Sequence, residues 1–140
     1  IIIGNGEIFE KSNKYIINNQ IKNVYLLGEK KDVYPFIYFA DLFLSTSLYE
    51  GLPLSILEAM SVGLPIIASN VEGNKNAIIH NKNGFLYDLG DIEMATIYIN
   101  RVLKNKTLYS KFSRNSIILQ KRVFSLSKMK NSYLKIYERF

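Results

Sequence analysis

Short apolar runs alternate with segments of helical periodicity up to about residue 90. The runs lie at residues 1–3, 24–27, 42–44, 66–68 and 84–87. Apolar positions at helical spacing lie within residues 7–19, 33–39, 54–62 and 75–79. Strands that alternate with helices in this way indicate a parallel sheet. The pattern therefore predicts an α/β fold with a doubly wound parallel sheet, which binds ligands beyond the carboxyl ends of its strands.

Beyond Asp91 the pattern is helical only. Three sets of apolar residues repeat at helical spacing and are expected to face the core. They are Ile92, Ala95, Ile99, Val102 and Leu103; Leu108, Phe112, Ile117 and Leu119; and Met129, Tyr133, Ile136 and Tyr137. Asp88 and Asp91 flank the predicted start of the first helix. We expect one domain over residues 1–140, with an α/β core at 1–90 and C-terminal helices at 91–140.

A buried helix is predicted in the middle of the chain. Pro53 suits the first position of a helix, because its φ is already helical and its missing N–H needs no partner there. Residues 54–62 are almost wholly apolar or small. Gly63 and Pro65 then supply the left-handed cap and the proline that commonly end a helix.

Two carboxylates, Glu50 and Glu58, stand eight residues apart around the start of this helix. An ionised Glu58 within an apolar helix needs polar partners, because an unpaired buried carboxylate costs several kcal/mol or takes up a proton. Glu50 lies close to the free N–H groups of the first helical turn. Together they offer carboxylates for hydroxyl groups and amides for phosphate oxygens, which are the groups of a sugar nucleotide. On spacing alone, solvated or dipole-compensating glutamates remain the alternative.

The run from Asp41 to Ser69 resembles the donor-site signature of the glycosyltransferase family 4 enzymes, which are retaining sugar transferases of GT-B architecture. The shared pattern is D-x-F-x-x-x-S-x-x-E-G-L-P-L-S-x-L-E-A-M-x-x-G-L-P-I-I-A-S. Glu50 and Glu58 fall on its E-x(7)-E element. The resemblance implies a Rossmann-like domain that forms the nucleotide-binding, C-terminal half of a two-domain enzyme.

The same resemblance implies roles for individual residues. Glu50 would contact hydroxyls of the transferred sugar and Glu58 the ribose hydroxyls, so both are candidate catalytic residues. Amides of the loop and first helical turn would meet sugar hydroxyls and phosphate. The donor-binding residues implied there are Gly51, Leu52, Pro53, Leu54 and Ser55. No enzyme nucleophile is nominated, and no metal or other cofactor is expected.

Three glycines nearer the start of the chain are further candidates for the donor site. Gly4 and Gly6 follow the first predicted strand as G-x-G, and Gly28 follows the second. The third glycine of a dinucleotide fingerprint is absent, so a tight turn without a ligand is an equal reading of the pattern. In the resembling family this turn lies on the donor side, which favours a place in the cleft.

The sequence departs from the family pattern after the fourth predicted strand. Family members usually carry glycine where Glu72 stands and a Pro-Glu pair where Lys75 and Asn76 stand. These departures bear on the acid at that place and on the choice of donor. We expect a loop at 71–74 and a helical turn at 75–79.

Composition adds few constraints. The chain has 140 residues, no cysteine and a formal charge of +6. That charge attracts nucleotide phosphates, nucleic acid or an acidic membrane surface without choosing among them. No apolar run reaches the roughly 18 residues that a membrane span needs. His80, the single histidine, stands among turn formers, so a surface turn is expected rather than a general base.

The expected function is that of a retaining glycosyltransferase domain, which binds a nucleotide-diphosphate sugar and transfers the glycosyl group to a glycan or lipid-linked acceptor. A bacterial surface polysaccharide is the suggested product. The alternatives are a sugar-nucleotide epimerase of GT-B fold and a non-catalytic basic module for nucleotides or nucleic acid. Aromatic residues follow the core stripes and do not alternate with lysines on a strand, so nucleic acid is not an expected partner.

The chain begins directly in a strand-like run, so we expect a fragment of a longer enzyme. Its acceptor-binding N-terminal domain, and an Arg and a Lys for the diphosphate, would lie upstream. Alone, the chain should bind donor weakly and transfer sugar inefficiently. The expected location is the cytoplasm. Work at the inner face of the membrane, with peripheral contact through basic residues after Arg101, is left open.

Overall fold

A computed structural model describes residues 1–138, so the last two residues of the predicted helical tail, Arg139 and Phe140, lie outside the described range. The chain forms two compact units, Ile1–Phe36 and a second that begins at Ile37. The first unit contains helix α1 (Phe9–Asn18) and most of the short helix α2 (Tyr34–Tyr38). Each unit has its own pattern of backbone hydrogen bonds.

The two strands predicted for the first unit pair less than expected. Ile2 and Leu26 form a single parallel bridge, in which the Ile2 N–H donates to the Tyr25 carbonyl at 2.8 Å. The Leu27 N–H donates back to the Ile2 carbonyl at 2.9 Å. The prediction of full strands at 1–3 and 24–27 is therefore wrong in extent, because the glycines that follow end the pairing after one bridge.

A parallel three-stranded sheet forms the centre of the second unit. Its strands are β1 (Phe43–Ser45), β2 (Ile66–Ser69) and β3 (Gly84–Tyr87), in the order β1-β2-β3. Every residue of β2 is buried, as expected for the central strand of a sheet covered on both faces. The predicted α/β fold with a parallel sheet is confirmed.

Helices cover the sheet and supply its core. Helix α3 (Leu54–Ser61) packs against β1 and β2, and helix α5 (Ile92–Lys104) packs against β2 and β3. Helix α6 (Lys106–Leu119) packs against α3 and α5. The main cluster joins sheet residues to residues of α5 and α6; it contains Ile67, Phe85, Tyr87, Ala95, Val102 and Phe112.

The C-terminal stripes are only partly core. Ala95, Val102 and Phe112 are buried, but Ile92 and Leu103 are exposed. After α6, a π-helical turn (Gln120–Phe124) leads to helix α7 (Leu126–Tyr137), which buries none of its side chains among the described residues. The prediction that Met129, Tyr133, Ile136 and Tyr137 face the core is wrong. Periodicity shows that a helix has an apolar face, but not that this chain covers it.

Helix α3 ends as predicted and begins one residue late. Gly63 has φ +82° and its N–H donates to the Met60 carbonyl, while the Leu64 N–H reaches back to Ala59, which is a Schellman cap. Pro53 precedes the helix as its N-cap, with ψ 92°, and is not its first residue. The helix is also not wholly buried, because only one face packs inward; Ile56, Ala59 and Met60 are its buried residues.

Helix α4 (Glu72–Ala77) begins three residues before the predicted helical turn at 75–79. The predicted loop at 71–74 is therefore wrong. The Lys75 N–H donates to the Val71 carbonyl at 3.1 Å, so helical bonding already starts there. A glycine and two asparagines in this segment disfavour a helix by propensity, and tertiary contacts override that preference.

Candidate functional site

The loops that leave β1 and β2 meet at the carboxyl edge of the sheet. The buried Ser69 hydroxyl, at the end of β2, donates to the Ser47 carbonyl at 2.6 Å. The Asn74 side-chain amide donates to the Ser69 carbonyl at 2.9 Å and to its hydroxyl at 3.3 Å. Tyr87, at the end of β3, donates from its hydroxyl to the Ser45 carbonyl at 3.2 Å. All three strand ends thus hold this edge together.

Glu50 is held in place from two directions. The Ser47 hydroxyl donates to Oε1 of Glu50 at 2.7 Å. Gly73, in α4, lies so close to the Glu50 backbone that a Cβ there would overlap its carbonyl group. The side chain of Glu50 is only half-buried. One carboxylate oxygen therefore has a protein partner, and lone pairs remain for hydroxyl groups of a ligand.

Glu58 lies on α3 and is also half-buried. Within residues 1–138 its carboxylate makes no hydrogen bond or ion pair with protein groups; the Ser61 hydroxyl bonds only its backbone carbonyl, at 2.6 Å. The side chain is partly open to solvent, so it does not need the ligand partner that full burial would have required. It remains available to accept hydrogen bonds from hydroxyl groups.

The loop between Glu50 and α3 exposes backbone donors. Pro53 is buried, and its carbonyl accepts from the N–H groups of Ile56 and Leu57. No acceptor in the described part of the chain binds four other N–H groups of this loop and first turn. They belong to Gly51, Leu52, Leu54 and Ser55. These unpaired amides at a helix N-terminus are suited to anionic oxygens.

The three candidate glycines belong to the first unit, whereas Glu50 and Glu58 belong to the second. Gly4, with φ +141°, donates from its N–H to the Gly28 carbonyl at 2.9 Å, and Gly28 has φ +65°. The structure therefore brings Gly4 and Gly28 together. Gly6 accepts from the Phe9 N–H at the start of α1. Their part in donor binding stays a prediction.

Sequence reasoning missed the residues behind Glu50. Ser69 and Asn74 are fully buried, and the Asn74 Oδ1 atom has no hydrogen-bond partner among the described residues. Burial raises the pKa of Tyr87, which keeps its phenol protonated and able to donate. The signal available in the sequence was the position of small polar residues directly after strands, at Ser45 and Ser69.

His80 is exposed, as expected of a surface turn. Its Nδ1 accepts from the Leu86 N–H at 3.1 Å, so the ring nitrogen that faces the strand is unprotonated. The ring lies against Phe85 and Tyr98, with centroids 5.3 and 5.7 Å away. These contacts favour a packing role over that of a general base.

Two searches of residues 1–138 found nothing. No three His, Asp or Glu side chains there are grouped as a metal site would require. No helix in this range combines the length and the apolar character needed to cross a bilayer.

The parallel sheet, with polar loops and a helix N-terminus beyond its strand ends, defines the class of α/β domains that bind nucleotides at this edge. The chain belongs to the family described as glycosyl transferases group 1, whose family model matches residues 1–118. The resemblance found in the sequence is thereby confirmed. The match supports neither the epimerase nor the nucleic-acid alternative.

One relative covers almost the whole chain. The UDP-Gal:alpha-D-GlcNAc-diphosphoundecaprenol alpha-1,3-galactosyltransferase of Escherichia coli is 38% identical over 142 residues, which span 96% of this chain and 36% of that protein. The chain therefore spans little more than a third of this relative's length. The matched segment includes the region of both glutamates.

Solved structures share the fold. TarM of S. aureus, in complex with Fondaparinux, alpha-GlcNAc-glycerol and UDP, has a TM-score of 0.88 and 28% identity, covering 97% of this chain and 28% of that chain. Anabaena Alr3699/HepE, in complex with UDP-glucose, has a TM-score of 0.87 and 24% identity, covering 99% and 40% respectively. This second likeness shows the fold alone.

Proposed function

We propose that the chain is the donor-binding part of a retaining glycosyltransferase that uses a UDP-hexose, with galactose as the first candidate sugar. The name of the E. coli relative, at 38% identity over nearly the whole chain, supports both the nucleotide and the sugar. The acceptor proposed is a glycan or a lipid-linked saccharide of the cell surface. Transfer is assigned to the whole enzyme, of which this chain would form the donor side.

One observation carries the proposal: a partly open carboxylate on each side of a loop whose amides have no protein acceptor. Hydroxyl groups of ribose and hexose are donors, and ionised carboxylates accept them strongly. The diphosphate is anionic and suits the amides at the start of α3. The three features together match the donor's chemistry from its ribose to its sugar.

The chemistry follows from these contacts. When the bond between the sugar's anomeric carbon and the diphosphate oxygen breaks, its electron pair leaves with UDP. Amides from Gly51 to Ser55 would stabilise that growing negative charge, since preorganised donors lower the barrier most where charge develops. Glu50 would hold the sugar and Glu58 the ribose, so that the acceptor hydroxyl meets a fixed anomeric carbon.

Calorimetric titration tests this proposal. UDP, GDP, ADP and their sugars are titrated into the chain and into Glu58→Ala. We expect UDP to bind wild type, and binding to fall about tenfold or more in the variant, because a charge-assisted hydrogen bond to ribose is lost. Glu93→Ala, which removes an exposed glutamate from the first turn of α5, is the matched control. Equal affinity for UDP in all three proteins would refute the assignment of Glu58.

Donor binding without a metal is also part of the proposal. The same titration in EDTA should give unchanged affinity for UDP. Loss of binding in EDTA, with recovery on adding Mg²⁺ or Mn²⁺, would refute it.

A further inference from the structure

We propose that Ser47 is a positioning residue that sets the orientation of Glu50, and thereby controls how tightly the site holds the sugar as distinct from UDP. The inference rests on the proposed function. It adds a residue that touches neither phosphate nor nucleoside in that proposal, and it predicts an effect on one part of the donor only.

The first step is the contact itself. The Ser47 hydroxyl donates to Oε1 of Glu50 at 2.7 Å, a short bond to a charged acceptor. Glu50 is half-buried in a loop, where several rotamers would otherwise be open to it. A single hydroxyl therefore selects the direction in which the carboxylate presents its remaining lone pairs.

The second step is that Ser47 is itself fixed. Its carbonyl accepts from the hydroxyl of Ser69 at 2.6 Å, and Ser69 is completely buried at the end of the central strand. The Asn74 amide donates to that same hydroxyl at 3.3 Å. Because Ser69 receives one bond and gives the other, its proton has a defined direction. Ser47 thus stands on the most rigid strand of the unit.

The third step concerns the backbone of Glu50. Gly73 leaves no room between α4 and the Glu50 carbonyl, so the main chain there cannot move toward the helix. With the main chain blocked, the orientation of the carboxylate depends on side-chain torsions alone. Those torsions are what the Ser47 hydroxyl restrains.

The consequence is selective. The amides proposed for the diphosphate belong to residues after Glu50, and the carboxylate proposed for ribose is on α3. Removing the Ser47 hydroxyl leaves these groups in place. Only the interaction between Glu50 and the sugar should weaken, so the ratio of the affinities for UDP-galactose and UDP is the quantity that responds.

The experiment measures both affinities by NMR titration of the 140-residue chain, as wild type, Ser47→Ala and Ser47→Thr. We expect Ser47→Ala to lower the affinity for UDP-galactose about tenfold relative to that for UDP. Ser47→Thr keeps a hydroxyl on Cβ and should restore most of the ratio. Ser132→Ala, which removes an exposed hydroxyl from α7, serves as the control. Ser69→Ala should lower the same ratio from behind Ser47.

An unchanged ratio in Ser47→Ala would overturn the proposal. So would an equal fall in both affinities together with a lower Tm, because that pattern indicates a merely structural serine. Binding of neither UDP nor UDP-galactose by wild type would overturn the proposed function and this inference with it. The wild-type titration therefore separates the two failures.

Discussion

The close approach of α4 to Glu50 predicts a large effect from a small substitution, Gly73→Ala. A Cβ at this position would overlap the carbonyl oxygen, the carbonyl carbon and the Cβ of Glu50. Two of these three atoms are backbone, so rotation of a side chain cannot relieve the overlap. Either α4 or the loop that carries Glu50 has to move.

The magnitude follows from two opposing effects. An added methyl group in a filled site costs about 1–3 kcal/mol, and backbone overlap places this site near the upper end. Alanine in a helix interior gains about 1 kcal/mol over glycine. The net loss of unfolding free energy should be about 2 kcal/mol, which corresponds to a fall in Tm of about 4–8 °C for a chain of this size.

Urea unfolding followed by circular dichroism measures this difference. Gly51→Ala is the matched control for stability, because a Cβ at Gly51 meets no atom within 4 Å. The Gly73→Ala variant should also lose affinity for UDP-galactose, since Glu50 shifts with its loop. A Gly73→Ala protein as stable as wild type would show that the contact between α4 and Glu50 is looser than described, and the reasoning would fail.

Two further predictions concern the groups behind the site. Asn74→Asp should destabilise more than Asn74→Ala, by about 2 kcal/mol or more at pH 8, because it places a buried carboxylate against the Ser69 carbonyl; equal urea midpoints would contradict this. Burial raises the pKa of Tyr87, so the unfolded state loses that proton first and stability should fall as pH rises above about 10. Tyr87→Phe should reduce the slope, measured by urea unfolding between about pH 9 and 11, but not abolish it. Burial and the charge of Asp41 raise the pKa of Tyr109 in the same direction.

Local signals in the sequence predicted the parts of the fold that local chemistry determines. Gly63 is the clearest case, because a left-handed glycine followed by Pro65 ends a helix whatever surrounds it. The strands at 42–44, 66–68 and 84–87 were found within one residue of their predicted bounds, since a continuous apolar run in an α/β chain is a buried strand.

The parts that failed depend on contacts between distant residues. Helix α4 contains poor helix formers, and its start is set by Gly73 against Glu50 and by Asn74 bonded to Ser69. Neither contact is visible along the sequence. The network behind Glu50 was missed for the same reason, because a serine at the end of a strand looks alike whether or not it supports another loop.

The candidate site was predicted in its acids and loop, but not in its energetics. Glu58 was expected to need a ligand because its helix looked wholly buried, yet only one face of α3 is covered. The argument for a sugar nucleotide therefore depends on the combination of carboxylates and amides. It no longer depends on the cost of burying one charge.

The two sides of α4 stand under different constraints. Gly73 and Asn74 are buried, whereas Glu72 and Lys75 form an exposed ion pair at 2.6 Å, of a kind that contributes little to stability. The outer positions are also those where the chain departs from its family's usual residues. A combinatorial library limited to residues 72, 75 and 76 could therefore explore donor preference while the scaffold beneath it stays intact.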